Sequence, residues 1–433
     1  MSPPVIGIIG LILLFILMAV RMPIGIAFLL VGGLGIATLA GADVAFSAIS
    51  RIPYEWASSY VFSCVPLFIF MGMIFSKSGI ASDLYKAAYS WFGRLPGGLA
   101  LASLAGCGGF AAVSGSSTAG AATMAAFCYP EMKKFNYDES LASGAIAAGG
   151  TLGIMIPPSL GFIIYGIIME QSIGKLFLAG LLPGILQIIF YFIVIVIYVK
   201  LKPNSAPKAE LKLSWKDKFL CLIPIWPVIV IFVIVLGGIY LGIFTPTEAG
   251  GIGAGASLLL ALLMKRFTFE TFFQTCVDTI NITAMIFMLF MGAMVFNIFM
   301  TLSDLPQTIS VVLSSIKSPQ MLVLMILIIL FPLGCFLEVT SMFILTMPLF
   351  LPSLVHSHIN LIWFGVLAVR CAEIALLTPP VGMNVFVVKG VIKDISVEKV
   401  FKGVIPFLIS DLIMLAILFL FPKISLFIPF LMK

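Results

Sequence analysis

Two adjacent prolines interrupt an apolar stretch that is long enough to span a bilayer. Pro157 and Pro158 lie inside residues 141–169, where almost every other side chain is apolar or small. A proline inside a helix removes a backbone hydrogen bond and clashes with the preceding turn. In lipid, the freed backbone groups must be buried in protein or line a polar cavity. The sequence therefore predicts a broken helix at a site enclosed by protein.

The same arrangement occurs a second time. Pro379 and Pro380 interrupt the apolar residues 361–391. Each broken helix follows two short apolar segments joined by a polar tip, Ser114–Thr118 in the first case and Glu338–Ser341 in the second. We interpret each pair of segments as a re-entrant hairpin. Two corresponding interrupted helices indicate the binding site of a membrane transporter.

The composition is typical of an all-α integral membrane protein. The 433 residues are 61% hydrophobic and 10% charged, and many segments reach the roughly 20 apolar residues that cross a bilayer. The net charge of +6 belongs to the loops, so it gives no reason to expect a nucleic-acid partner. The spans contain no nucleophile–base pair and no cluster of metal-ligand residues, and we therefore expect no enzyme activity.

The chain is predicted to contain two repeats. Residues 1–200 form the first, with a hairpin at about 97–130 and a broken helix at about 141–169. A basic cytoplasmic linker, 201–218, leads to the second repeat, 219–433, with a hairpin at about 321–354 and a broken helix at about 361–391. Pro23 aligns with Pro246 and Gly180 with Gly403 at one constant spacing. Five spans in each half, an odd number, give the repeats inverted topology.

The charges give this arrangement an orientation. Most of the 24 Lys and Arg residues fall on one side, which the positive-inside rule assigns to the cytoplasm. Both termini are then periplasmic. The polar arms 77–94 and 303–319 are expected to hinge the hairpins against a static wall of bulkier spans, for example 188–198 and 221–236.

Three motifs carry a family resemblance: Gly115–Thr118, Gly153–Ser159 and Glu373–Asn384. With them, essentially the whole chain resembles the large membrane subunit of tripartite ATP-independent periplasmic (TRAP) transporters. The resemblance implies an elevator-type importer of organic anions, such as carboxylates or sulfonates, in the bacterial inner membrane. It also implies sodium as the coupling ion, no organic cofactor, and a soluble periplasmic substrate-binding protein as partner. Because the chain ends without a fused small subunit, the four-helix small membrane subunit is expected to be a separate polypeptide.

Sodium requires several oxygen ligands, and an unwound helix offers free carbonyls. We expect the first sodium site at the first tip and break, and the second at the second tip and break. The expected metal ligands are Ser114, Thr118, Gly153, Ile156 and Pro158 in the first site and Glu338, Val339, Ser341, Thr378, Pro380, Gly382 and Met383 in the second. The competing interpretation is that the tip hydroxyls only cap the hairpin helices.

The expected substrate contacts are Ser117, Ser159, Thr340 and Asn384, with Arg370 as a further candidate. An arginine inside a span is functional by default, so Arg370 could attract a substrate carboxylate. Glu373 lies three residues further along the same helical face, and a structural ion pair is the interpretation we favour. The alternative function is a self-sufficient sodium and divalent-anion symporter of similar architecture, which needs no binding protein.

Overall fold

The computed structural model describes residues 2–20, 22–207, 214–314 and 318–432, apart from the side chains of 310, 312 and 314. Over these residues every regular element is a helix, which confirms the all-α fold class. Part of the predicted linker, 208–213, lies outside the described residues.

The first half begins with five helices that precede the first hairpin. They are α1 (Pro3–Ala19), α2 (Ile24–Ala40), α3 (Ala42–Ala57), α4 (Cys64–Lys77) and α5 (Ile80–Phe92). Helix α3 was not predicted, because charged residues such as Asp43 and Arg51 on one face keep its hydropathy low. Helix α5 coincides with the first predicted arm, and it is amphipathic as expected.

The first hairpin and the first broken helix follow directly. The hairpin consists of α6 (Gly98–Ser114) and α7 (Ser117–Lys134), and the broken helix consists of α8 (Glu139–Met155) and α9 (Leu160–Ile168). The axes of α8 and α9 differ by 42°. The long helix α10 (Ile173–Leu201) completes the first half.

The second half also has five helices before its second pair of short apolar helices, and it ends with one helix more than the first half. Its first helices are α11 (Trp215–Leu220), α12 (Trp226–Tyr240), α13 (Pro246–Leu263), α14 (Phe269–Leu302) and α15 (Leu305–Ser314). They are followed by α16 (Pro319–Phe336), α17 (Val339–His356), α18 (Leu361–Leu377), α19 (Met383–Val391), α20 (Val397–Leu420) and α21 (Lys423–Leu431). Helix α14 starts earlier than the predicted span at 281, because its polar first turns are helical although too polar for lipid.

Eight helices of the described chain are long and apolar enough to cross a membrane, or nine if α8 and α9 count as one span. The 17-residue helices α1 and α2 are apolar but fall just below that length. Helices α16 and α17, with 18 residues each, satisfy the length and hydropathy criterion individually. The multi-pass architecture is therefore supported, while the re-entrant path of the hairpins stays a prediction.

Helix α8 lies at the centre of the packing. It contacts α6 and α7 of the hairpin, α10, and the second-half helices α18, α19 and α20. Its approach to α20 is closest where Gly144 faces Gly403, since a Cβ atom on Gly403 would lie 1.8 Å from the carbonyl oxygen of Ser140. Away from this centre, α2 packs against α14 and α4 against α13. The two halves are therefore interleaved rather than side by side.

Candidate functional site

The tip of the first hairpin is a two-residue turn. Helix α6 ends at Ser114, Gly115 has a φ of +63°, and Ser116 caps α7 by accepting a hydrogen bond from the Ala119 N–H over 3.4 Å. The Thr118 hydroxyl lies 3.3 Å from the Ser116 hydroxyl. The buried Ser114 Oγ has no hydrogen-bond partner among the described residues. Capping thus accounts for Ser116 and leaves the oxygen of Ser114 free.

The first break frees a carbonyl that a continuous helix would satisfy. Helix α8 ends at Met155, and Pro157 has no N–H to donate to the carbonyl of Gly153, four residues earlier. Ile156 has extended backbone angles, and the Pro157–Pro158 peptide bond is cis. Ser159 caps α9, because its hydroxyl accepts a hydrogen bond from the Phe162 N–H over 3.4 Å.

The tip and the break are in direct contact. The Leu160 N–H donates to the Gly115 carbonyl over 3.3 Å, and a Cβ atom on Gly115 would lie 2.9 Å from the Pro158 carbonyl oxygen. Ser114, Pro158 and Ser159 line one narrow gap, which Phe68 of α4 closes from the side. The structure therefore brings together the tip and the break of the predicted first sodium site. The coordination of an ion by these oxygens stays a prediction.

The tip of the second hairpin is built differently, because it carries a carboxylate. Helix α16 ends at Phe336, and α17 begins at Val339. The Glu338 carboxylate caps α17 by accepting a hydrogen bond from the Thr340 N–H over 3.1 Å. Thr340 and Ser341 are buried. The carboxylate thus satisfies a helix end and retains further lone pairs for another ligand.

The second break is more open than the first. Pro379 and Pro380, joined by a cis peptide bond, are exposed, and the Thr378 hydroxyl donates to the Ile374 carbonyl of its own helix over 2.7 Å. Gly382, at φ +61°, precedes Met383, the first residue of α19. Within the described residues, no hydrogen bond joins this segment to the second tip. The face-to-face arrangement predicted for the second sodium site stays a prediction.

Asn384 connects the second break to the first half. Its side chain is fully buried, and its Nδ2 donates to the carbonyl of Ala147 on α8 over 3.4 Å. Its Oδ1 has no partner among the described residues. Among the predicted substrate contacts, Asn384 thus has a free acceptor atom, whereas the hydroxyl of Ser159 is used in capping.

Arg370 lies in a buried charge cluster at the centre of the molecule. Its Nη1 lies 3.3 Å from Glu373 Oε2, and its Nη2 pairs with Asp411 of α20. The side chains of Arg370 and Glu373 are 0% exposed and that of Asp411 is 1% exposed. The favoured ion pair is thus present, but Glu373 is not the sole partner of Arg370.

Neutral polar groups surround this cluster. The Tyr191 hydroxyl of α10 donates to Asp411 Oδ2 over 2.9 Å and lies 3.1 Å from Thr151 Oγ1 of α8. Gln187 donates to Tyr191 and Thr151, each over 3.0 Å. Sequence reasoning missed this network, although Asp411 gave a signal: it is a carboxylate within an apolar span.

The cluster also reaches the first hairpin. Ser117, the first residue of α7, is 1% exposed, and its Oγ lies 3.5 Å from Glu373 Oε1. Two of the predicted substrate contacts, Ser117 and Arg370, are therefore connected through Glu373. Both are buried in this conformation.

Exposed ion pairs hold the same elements together at the predicted cytoplasmic side. Lys133 of α7 contacts Asp394 over 2.9 Å, and Lys399 of α20 contacts Glu139 of α8 over 2.7 Å. The Lys133 ammonium group donates a hydrogen bond to Asp394 and holds the pKa of that carboxyl below its usual range. These pairs are exposed, so they orient the helix ends and contribute little to the stability of the fold.

Apolar helices, two hairpins and two broken helices define the class of the protein, a polytopic helical membrane transporter. The family model described as "Tripartite ATP-independent periplasmic transporter, DctM component" matches residues 11–424, and the chain belongs to this family. It is the family of TRAP transporter large permease subunits, as the resemblance indicated.

Three relatives are named as TRAP transporter permease proteins. The chain is 32% identical to the C4-dicarboxylate TRAP transporter large permease protein DctM of Pseudomonas aeruginosa, covering 87% of this chain and 88% of that protein. It is 32% identical to the isethionate TRAP transporter permease protein DctMQ of Oleidesulfovibrio alaskensis, covering 92% of this chain and 64% of that longer protein. It is 30% identical to the sialic acid TRAP transporter permease protein SiaT of Haemophilus influenzae, covering 97% of this chain and 68% of that protein.

A solved structure shares the fold. The YdaH transporter of Alcanivorax borkumensis matches with a TM-score of 0.62 at 12% identity, over 88% of this chain and 89% of the other. At this identity the match supports the architecture alone.

Proposed function

We propose that this chain is the transport subunit of a sodium-driven TRAP importer that moves an organic anion across the bacterial inner membrane. The contact between the first hairpin tip and the first break, with an unpartnered Ser114 hydroxyl beside freed carbonyls, carries this proposal. The named relatives, for C4-dicarboxylate, isethionate and sialic acid, support a carboxylate or a sulfonate as the substrate class.

Sodium is proposed to bind at both tips. The first site takes the hydroxyls of Ser114 and Thr118 and the carbonyls of Gly153, Ile156 and Pro158. The second site takes Glu338, Val339 and Ser341 with oxygens of the segment 378–383. Hydroxyl, carbonyl and carboxylate oxygens are the ligands that hard cations prefer. The half-helices α9 and α19 begin at the breaks, so their N-terminal dipoles favour an anion nearby.

The two halves are proposed to be inverted repeats. The order of elements supports this, because arm, hairpin, broken helix and long helix recur as α5–α10 and α15–α20. The proposed repeat 1–200 contains the first of these two series, apart from the last residue of α10, and the proposed repeat 219–433 contains the second. Exchange of conformation between inverted repeats converts an inward-facing state into an outward-facing state.

We propose that the halves move by an elevator motion. We expected the span at 188–198 to belong to the static wall because its residues are bulky. In the structure, Tyr191 of α10 and Asp411 of α20 are hydrogen-bonded to each other in the buried network, together with Thr151 of α8. Pulling α10 or α20 away from α8 would leave buried polar groups unpaired. We therefore assign α10 and α20 to the moving set, α6–α10 with α16–α20.

The proposed wall contains the remaining long helices, α2, α4, α12, α13 and α14. An ion pair between Arg266 and Asp83 of α5 attaches the first arm to it, while the pair of Lys77 with Asp278 joins the wall helices α4 and α14. The arm thus remains with the wall at one face while its other face contacts α6 and α7. This is the arrangement that a hinge between a wall and a moving set requires.

The proposed partners are a small four-helix membrane subunit and a soluble periplasmic substrate-binding protein. The chain is proposed to place both termini in the periplasm. Transport that requires the binding protein supports the assignment of these two partners. Transport by the membrane subunits alone supports a self-sufficient symporter.

Sodium binding at the first tip is tested by replacing Ser114 and Thr118 with alanine. The probe is sodium chloride, titrated against choline chloride into the purified membrane complex, and the readout is the thermal unfolding midpoint. Sodium bound to the native state raises this midpoint by mass action. We expect the double variant to need a much higher sodium concentration for the same rise.

A matched control removes two buried hydroxyls from the wall. Ser257 and Thr279 each donate only to a carbonyl of their own helix, so their alanine variants should retain the wild-type sodium response. An unchanged sodium response of the Ser114 and Thr118 variant would overturn the assignment of the first site.

A further inference from the structure

The buried charge cluster contains one cation and two carboxylates. Arg370, Glu373 and Asp411 are at most 1% exposed, and among the described residues no ion pair joins any of them to a charged group outside the cluster. With all three ionised, the cluster would carry one unbalanced negative charge in the centre of a membrane protein. An uncompensated buried charge is so costly that such groups neutralise instead.

The geometry indicates which carboxyl is neutral. Asp411 has the closer contact with the Arg370 guanidinium and also accepts a hydrogen bond from Tyr191 over 2.9 Å. Both interactions favour an ionised carboxylate. Glu373 has longer contacts, 3.3 Å to Arg370 and 3.5 Å to Ser117. Glu373 is thus the weaker partner of the cation.

A proton fits this position better than a metal ion. A bound metal ion requires several oxygen ligands, whereas the groups at Glu373 are one serine hydroxyl, the Ile154 backbone and a guanidinium, and the guanidinium repels cations. A proton needs a single oxygen. With the proton on Oε1, Glu373 can donate to the Ser117 hydroxyl while Oε2 still accepts from Arg370.

We propose that Glu373 is a proton-binding site: it is a neutral carboxylic acid in this conformation, and it links the charge cluster to the tip of the first hairpin through Ser117. The cluster then has no net charge, with Asp411 as the counter-ion of Arg370. A movement of the hairpin that separates Ser117 from Glu373 changes the environment of this proton. The site is distinct from the proposed sodium sites, so it stands or fails separately from them.

The surroundings of Glu373 contain few other titratable groups. Its own helix contributes Arg370, α20 contributes Asp411, and α10 contributes Tyr191 behind Asp411; the groups that α7 and α8 contribute, Ser117 and Thr151, do not titrate in water. The remaining helices in contact with α18 are α9, α16, α17, α19 and α21. They carry Tyr165, Cys335, Glu338, His356, Lys389 and Lys423, and no hydrogen bond or ion pair joins any of these to Glu373 in the described chain.

Infrared spectroscopy of the assembled membrane complex at neutral pH tests the proposal without knowledge of the substrate. A protonated carboxylic acid has its own carbonyl stretching band, separate from carboxylate and amide bands. We expect this band in the wild type and its loss in Glu373→Gln. The band should also be lost in Asp411→Asn, because Glu373 then ionises to balance Arg370. Absence of any acid band that Glu373→Gln removes would overturn the proposal.

Two further measurements keep the test decisive if Glu373→Gln does not fold. Labelling with ¹³C-glutamate shifts the acid band only if the acid is a glutamate, and the band must persist in Glu338→Gln. A band that does not shift on labelling, or that Glu338→Gln abolishes, contradicts the proposal. The link to the hairpin is tested by Ser117→Ala, which should shift the frequency of the band. The control Ser143→Ala, whose hydroxyl donates to the Glu139 carbonyl, should not; an unshifted band in Ser117→Ala refutes the link.

Discussion

The two carboxylates that flank Arg370 should each compensate for loss of the other. Glu373→Gln leaves Asp411 against the guanidinium, and Asp411→Asn leaves Glu373, 3.3 Å away, to ionise in its place. Each single variant therefore loses about one hydrogen bond, about 1 kcal/mol of unfolding free energy. The double variant leaves a fully buried cation without a counter-ion, which costs about 3–5 kcal/mol. The excess over the sum of the single effects is about 1–3 kcal/mol.

The measurement is the unfolding free energy of the complex in one detergent system for the wild type, the two single variants and the double variant. This double-mutant cycle gives the interaction energy between Glu373 and Asp411 directly. Asp394→Asn is the control, because that carboxylate is exposed and its removal should leave stability almost unchanged. A double variant whose destabilisation equals the sum of the two single effects would refute a shared counter-ion for Arg370.

Three further predictions follow from other contacts. Gly115→Ala should reduce the sodium-dependent rise of the unfolding midpoint, because φ is +63° and the new Cβ would lie 2.9 Å from the Pro158 carbonyl oxygen. Gly403→Ala should reduce the yield of folded protein in size-exclusion chromatography, because its Cβ would overlap the Ser140 carbonyl oxygen at 1.8 Å. The ion pair of Asp394 with its lysine partner should protect the loop 392–396 at neutral pH. This protection should be lost as the pH falls through the lowered pKa of Asp394. Hydrogen exchange, corrected for the intrinsic rate, measures the loss.

Gly237→Ala is the control for both glycines, because no atom lies within 4 Å of the new Cβ. A normal sodium response of Gly115→Ala, or a normal yield of Gly403→Ala, would contradict the close approach at that position. Loop protection in Asp394→Asn should already be low at neutral pH; protection equal to wild type would show that the ion pair has no role there.

The breaks and tips were predictable because local chemistry dictates them. Proline has no N–H and fixes its own backbone, and two in succession end the helix at Pro157 and at Pro379, whereas the single Pro183 and Pro406 are accommodated inside α10 and α20. Small hydroxyl residues at 114–118 end an apolar helix and begin the next. The helix ends in the structure lie within a few residues of the predicted ones at both hairpins.

Contacts between distant segments were not predictable in the same way. The partner of Arg370 could be sought on its own helix, where residues three apart are neighbours, and this gave Glu373. Asp411 lies 41 residues away in sequence, and only the packing of α20 on α18 brings it to the guanidinium. Our proposal to move α10 from the wall to the moving set also depends on such contacts, since bulky residues do not reveal which neighbours a helix binds.

The most direct test of the account is whether the moving set changes its distance from the wall. Spin labels at Lys134 of α7 and Phe269 of α14, both exposed, measure this distance in the assembled complex in nanodiscs, with sodium or potassium as the cation and with or without the binding protein. The account predicts two distance populations whose ratio changes across these conditions. The control pair, Lys134 and Lys402, lies within the moving set and should show one unchanged distance. A single invariant distance between 134 and 269 under every condition would contradict the sliding motion.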